Sequence, residues 1–179
     1  MRKILVVVDY QNDFVSGALG FEQAAALEQP IAQRVKQALD EGWNVVFTRD
    51  THGAEYLDTR EGKFLPVPHC MKVSFGWNLY GSLYEYQKKV NEHVTFVDKP
   101  TFGSMELPGV IARMTGNEPE IIELCGVVTN ICVVSNAIML HSAFLEADIV
   151  INQSLCAAPN PADHENTLKL LSGMGYKII

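Results

Sequence analysis

Short apolar runs alternate with helix-patterned segments along this chain, and that alternation restricts its fold more than any other feature. Ile4–Val8, Asn44–Thr48, His93–Val97, Ile121–Leu124, Ile149–Asn152 and Tyr176–Ile179 read as strands. Glu22–Leu39, Leu107–Met114, the segment from Thr129 to about Leu145 and His164–Leu171 carry apolar residues at helical spacing. Leu83–Lys89 reads as a short helix, and a long loop runs from Arg49 to about Tyr80. Strands separated by helices connect by crossovers rather than hairpins, which implies a mostly parallel sheet covered on both faces. Right-handed crossovers then give a three-layer α/β/α, doubly wound fold of about six strands. No repeat, linker or low-complexity segment interrupts the pattern, so residues 1–179 read as a single domain.

Composition narrows the function. Apolar residues make up 47% and charged residues 20%, as in ordinary globular proteins. A net charge of −7 argues against a nucleic-acid or anionic-membrane surface, because phosphate binding needs clustered Lys and Arg. No apolar stretch approaches a membrane span. The opening Met1-Arg2-Lys3-Ile4-Leu5-Val6-Val7-Val8 is too short for a signal sequence, ends at Asp9 and reads as a buried first strand. Cys70, Cys125, Cys132 and Cys156 have neither metal spacing nor a disulfide framework, which points to a reducing cytoplasm.

Ligands in doubly wound folds gather beyond the carboxyl ends of the strands. There the sequence places Asp9, Asp50-Thr51-His52, Lys99 and, after a polar turn, Cys132. Four strand ends carrying ionisable or nucleophilic groups at one edge suggest an active site. Cys132 falls in the first turn of the helix after Gly126, where unpaired N–H groups and the helix dipole favour a thiolate.

Together the motifs Val8-Asp9-Tyr10-Gln11-Asn12-Asp13-Phe14, Asp98-Lys99-Pro100-Thr101-Phe102-Gly103-Ser104 and Gly126-Val127-Val128-Thr129-Asn130-Ile131-Cys132 resemble those of the isochorismatase-like cysteine hydrolase superfamily, in its nicotinamidase-type amidase branch. The resemblance runs from Val6 to Cys156-Ala157-Ala158. It implies an isochorismatase-like, Rossmann-like fold and a catalytic triad of Asp9, Lys99 and Cys132. It also implies a cis peptide between Val127 and Val128, aiming the backbone N–H groups of Val128 and Cys132 at a developing oxyanion. A divalent metal, zinc, iron or manganese, would be held by Asp50, His52, Glu61 and His69, with Glu55 or Asp58 as substitutes for Glu61. No organic cofactor is implied. Phe14, with Tyr10 or Trp77, would wall a substrate ring. Self-association as a dimer or tetramer is implied as well.

The implied reaction is hydrolysis of a small carboxamide, nicotinamide to nicotinate and ammonia first among them, through a thioester acyl-enzyme. Three departures put the substrate in question. Asn130 stands where many members have an acid, Lys72-Val73-Ser74 replaces the usual continuation after His69-Cys70, and Leu65-Pro66-Val67-Pro68 lacks an aromatic residue before His69. Carbamoyl or ureido substrates use the same triad and stay open. Vinyl-ether cleavage needs no thiol, so Cys132 weighs against it. A redox-sensing thiol without turnover is a third reading, disfavoured because a sensor needs no positioned base.

Overall fold

A computed structural model describes residues 2–88 and 91–179 of the chain. Its sheet contains β1 (Lys3–Val8), β2 (Asn44–Asp50), β3 (Val94–Lys99), β4 (Ile121–Val127), β5 (Asp148–Ala157) and β6 (Lys177–Ile178). The strand order is β3-β2-β1-β4-β5-β6, and every neighbouring pair is parallel. The sheet expected to be mostly parallel is therefore wholly so.

Residues of β1 alternate between two apolar cores. Leu5 and Val7 cluster with Ile31, Val35 and Ala38 of α3 (Glu28–Asp40). Ile4, Val6 and Val8 cluster with residues of α6 (Leu107–Thr115), α7 (Val134–Ala143) and α8 (Pro161–Gly173). All five side chains are sealed from solvent, which explains an apolar run without polar alternation.

The segment expected as one helix over Glu22–Leu39 is two, α2 (Glu22–Ala25) and α3. Pro30 supplies the reason. It lacks the N–H that a continuous helix needs at that position, whereas the first turn of a new helix has no partner for that N–H. α8 starts before the expected His164 because Asn160 caps it, accepting from the Ala162 N–H at 3.0 Å, and Pro161 takes the first helical position. The remaining helical segments are short: α1 (Asn12–Val15), α4 (Arg60–Phe64) and α5 (Tyr84–Gln87). The expected Leu83–Lys89 helix is narrower as α5, and Lys89 lies outside the described residues. α4 breaks up the loop expected from Arg49 to Tyr80.

β2 and β3 run past their apolar stretches to Asp50 and Lys99. Arg49 pairs in register with Asp98, and Asp50 with Lys99. Opposite charges on neighbouring strands let the ladder continue where hydrophobicity stops. The Arg49–Asp98 ion pair measures 2.7 Å.

The chain builds outward from β1 to β2 and β3, then returns to lay β4 on the other side of β1. The carboxyl ends of β1 and β4 thus flank the switch point of the sheet, the usual crevice for a ligand. Asp9 follows β1, and the turn bearing Cys132 follows β4. The two strand ends meet closely: a Cβ on Gly126 would lie 2.1 Å from the Val8 carbonyl oxygen, and Gly126 has φ +113°. Only glycine permits this approach beside Asp9. Among the described residues, no helix is long and apolar enough to cross a membrane.

Candidate active site

The segment after β1 distributes its side chains to separate tasks. Asp9 sits in the left-handed region at φ 47°, held by Thr48, whose hydroxyl donates to Oδ1 at 2.7 Å. Gln11 joins the ends of β1 and β2. Its Nε2 donates to the Asp50 carbonyl at 2.9 Å, and its Oε1 accepts from the Asp50 N–H at 2.7 Å. Asp13 accepts from the Cys70 N–H at 2.7 Å and so anchors the chain next to His69. Each is a long-range bond that spans 39 or more residues of sequence.

Asp9, Lys99 and Cys132 meet at the switch point. The Lys99 ammonium lies 2.6 Å from Asp9 Oδ2, 3.5 Å from the Cys132 sulfur and 3.0 Å from the Thr101 carbonyl. Both members of the Asp9–Lys99 pair are sealed from water, at 0% and 1% exposure. Burial pushes the Asp9 carboxyl up, against the opposing charge of Lys99. Burial alone would lower Lys99, yet the Asp9 carboxylate, the Cys132 sulfur and Asp50 hold its ammonium firmly protonated. Burial also pushes the Cys132 thiol well above its ordinary value, and Lys99 only partly offsets this. Desolvation therefore opposes the thiolate that a helix start favours. Cys132 lies within a π-type turn, Thr129–Val133, that precedes α7. Desolvation is the largest influence on its thiol. The peptide bond between Val127 and Val128 is cis.

Beside this group, donor atoms of Asp50, His52, Glu61 and His69 all lie within 4.8 Å of one another. Asp50 Oδ2 is 3.0 Å from His52 Nε2 and 3.2 Å from His69 Nε2. Glu61 Oε1 is 3.6 Å from the former and 3.9 Å from the latter. Glu61, rather than Glu55 or Asp58, joins the cluster. Burial works against an ionised Asp50, but hydrogen bonds with both histidines and the Lys99 charge hold it below the usual carboxylate range. Its second oxygen lies 3.6 Å from Lys99, so one carboxylate joins the two groups.

A cavity of about 280 Å³ opens over Cys132, with Asp50, Glu61 and His69 on one side and Phe14, Leu19 and Leu65 forming apolar wall. Phe14 meets the His69 ring edge-on at 5.4 Å. Tyr10 and Trp77 do not line this cavity. Tyr10 is buried in the core, its hydroxyl donating to the Ala24 carbonyl at 2.6 Å. Trp77 donates to the Thr51 hydroxyl at 2.8 Å and carries the Arg49 guanidinium over its ring at 3.9 Å. Tyr10 thus packs in the core and Trp77 supports the end of β2, and neither walls the cavity.

A family model described as the isochorismatase domain matches residues 3–179. The chain belongs to the isochorismatase family. Among its solved relatives is a pyrazinamidase/nicotinamidase from Streptococcus mutans UA159, 31% identical, with 99% of each chain covered and a TM-score of 0.88. A nicotinamidase/pyrazinamidase from Bacillus subtilis is 30% identical with the same coverage and TM-score. The nicotinamidase of Saccharomyces cerevisiae is 30% identical over 125 residues, 54% of this chain and 56% of that one.

This isochorismatase-family chain completes its cavity with residues to which the sequence assigned no role, two of them inside the three motifs. Phe102, Ile131, Asn160 and Asp163 all line it. Phe102 follows Lys99 in a motif already notable, and Asn160-Pro161 is a readable helix start. Nothing in the sequence brings that helix to the cavity. Two buried polar contacts also escape sequence reasoning. Asn136 on α7 donates to the Cys132 carbonyl at 2.8 Å and accepts from the Ser104 N–H at 2.9 Å, fixing the loop after Lys99 to the nucleophile turn. Thr129 shares a 2.8 Å hydrogen bond with His164 Nδ1, which ties α8 to the same turn.

Proposed function

We propose that this chain is a nicotinamidase-type cysteine amidase that cleaves the C–N bond of a small carboxamide, nicotinamide to nicotinate and ammonia. The observation that carries the reading is the buried Asp9–Lys99–Cys132 group, whose Cys132 lines a cavity of about 280 Å³. Relatives named nicotinamidase or pyrazinamidase, matching over the full chain at about 30% identity, support it.

In this reading the thiol stays protonated until substrate enters, and Asp9 is the base. Asp9 takes the Cys132 proton as sulfur attacks the amide carbon. The C–N bond then breaks, and Asp9 returns the proton to the departing ammonia. Water adds to the thioester by the same route, with Asp9 again the base, and releases the carboxylic acid. Lys99 holds Asp9 in place and lowers the energy of the sulfur anion as it forms. The N–H groups of Val128 and Cys132 are assigned to the carbonyl oxygen. A buried thiol pushed upward does not suit a redox sensor, which needs an accessible thiolate.

The donor set fits a divalent ion. Two ligands about 2.1 Å from one metal stand roughly 3.0–3.4 Å apart, close to the measured Asp50–histidine spacings. His69 Nδ1 is engaged by the Val67 carbonyl at 2.8 Å, which leaves Nε2 to face the cluster and to give up its proton when a metal binds. Asp50, His52, Glu61 and His69 would hold zinc, iron or manganese, and the ion would supply a Lewis-acid position for a ring nitrogen. Zinc at a hundred times its Kd is expected to raise unfolding stability by about 2.7 kcal/mol. His52→Ala and His69→Ala should abolish that gain in thermal unfolding. An equal gain in both variants would remove the assignment.

Residues 1–179 form one hydrolase domain in this proposal, acting in the cytoplasm as a homo-oligomer. The four unpaired buried cysteines are consistent with a reducing compartment. The direct test mixes protein with nicotinamide and quenches in acid. Mass spectrometry should find the nicotinoyl group on the peptide carrying Cys132, with ammonia released in solution. Turnover without any acyl adduct under rapid quench would overturn the covalent route.

A further inference from the structure

We propose that Asp163 makes the cavity reject anions, so that it takes uncharged or cationic carboxamides and expels the carboxylate it forms. The inference rests on the amidase reading above and narrows its substrate class. Three carboxylates line the cavity, those of Asp50, Glu61 and Asp163, and no Lys or Arg does. Lys99 lies beneath the floor, 1% exposed and committed to Asp9 at 2.6 Å. A carbamoyl or ureido acid would bring its own carboxylate, and recognition of that group calls for a cation. None is available. A divalent ion would balance Asp50 and Glu61 and leave the charge of Asp163 uncompensated.

The position of Asp163 strengthens the effect. It is the third residue of α8, and Asn160 at the start of that helix also lines the cavity. A helix start carries partial positive charge and attracts anions. Here the Asn160 side chain already takes the Ala162 N–H at 3.0 Å. Asp163 is exposed at the cavity rim, and among the described residues its carboxylate has no ion pair or side-chain hydrogen bond to neutralise its charge. It turns a rim that would draw anions into one that repels them. The product of amide hydrolysis is such an anion.

The test measures Kd for nicotinamide and for nicotinate by calorimetry, using zinc-loaded protein with Cys132→Ala to prevent turnover. Asp163→Asn and Asp163→Lys are added to that background. At low ionic strength the ratio of nicotinate Kd to nicotinamide Kd is expected to fall about three-fold for Asn and about ten-fold for Lys. Both shifts should fade in 1 M salt, where the Debye length is about 3 Å. A purely helix-stabilising role would lower the melting temperature and leave the ratio alone. A ratio unmoved in both variants at low salt, or binding of neither ligand, overturns the proposal. Ammonia release by the unaltered protein separates the two readings. Turnover with a flat ratio sinks the charge selection alone, and a shifted ratio without turnover sinks the amidase reading alone.

Discussion

Replacing Cys132 by Ala is expected to abolish ammonia release from nicotinamide, lowering turnover by about 10⁴-fold or more. No other sulfur can take over. Cys70 and Cys125 are sealed in the core at 0% exposure, and Cys156 does not line the cavity. Without the sulfur no thioester forms, and a water molecule would have to attack the amide unaided by a covalent step. The fold should survive. Cys132 is small and 4% exposed, and losing one buried sulfur costs on the order of 1 kcal/mol. Urea unfolding and circular dichroism would establish that the variant is folded. Ammonia release within ten-fold of the parent would exclude Cys132 as the nucleophile.

Lys99→Met should damage stability and activity together. The ammonium is 1% exposed and lies 2.6 Å from Asp9 and 3.6 Å from Asp50. Removing it leaves Asp9 in the interior with no cation beside it, while Asp50 keeps His52 and His69. Breaking a buried pair from one side costs about 3–5 kcal/mol, because the remaining charge is desolvated without compensation. Asp9 would escape by binding a proton, and a protonated Asp9 is no base, so turnover falls by about 10³-fold as well. The double variant Asp9→Asn/Lys99→Met removes both charges. It should recover part of the lost stability and none of the activity. Urea titration of the parent, the two single variants and the double variant reads this directly. A single Lys99→Met loss below about 1 kcal/mol would mean that water reaches the pair, contrary to its burial.

Much of the fold is legible in the sequence because secondary structure and burial leave periodic marks. Ile4–Val8 had to be a strand covered on both faces, since five consecutive apolar residues suit no half-exposed strand. Pro30 could have revealed the break between α2 and α3, because a missing N–H is a local fact. The carboxyl ends of β2 and β3 were less legible. Arg49, Asp50, Asp98 and Lys99 look like loop residues until cross-strand pairing supplies each with an opposite charge. The cluster of Asp50, His52, Glu61 and His69 was legible as a set of donor types. Its closure depended on Gln11 and Asp13, whose hydrogen bonds fix both ends of the loop.

Tyr10 and Trp77 mark the limit of reading by residue type. An aromatic residue near a motif suggests a ring-binding wall, but the same surface serves packing equally well. The tertiary structure puts Tyr10 into the core and Trp77 under Arg49. It recruits Asn160 and Asp163 to the cavity from a segment with no obvious bearing on it. The burial that opposes a Cys132 thiolate was likewise out of reach, because it comes from packing and not from position on a helix.

By itself the sequence determined the alternating strands and helices, the parallel sheet and the identity of the groups at its carboxyl edge. These follow from local periodicity and from right-handed crossovers. Tertiary structure alone decided which walls surround Cys132, which charge sits at the rim and how strongly desolvation shifts each ionisable group. Those properties depend on distances between segments far apart in sequence, and desolvation exists only once packing has removed the water.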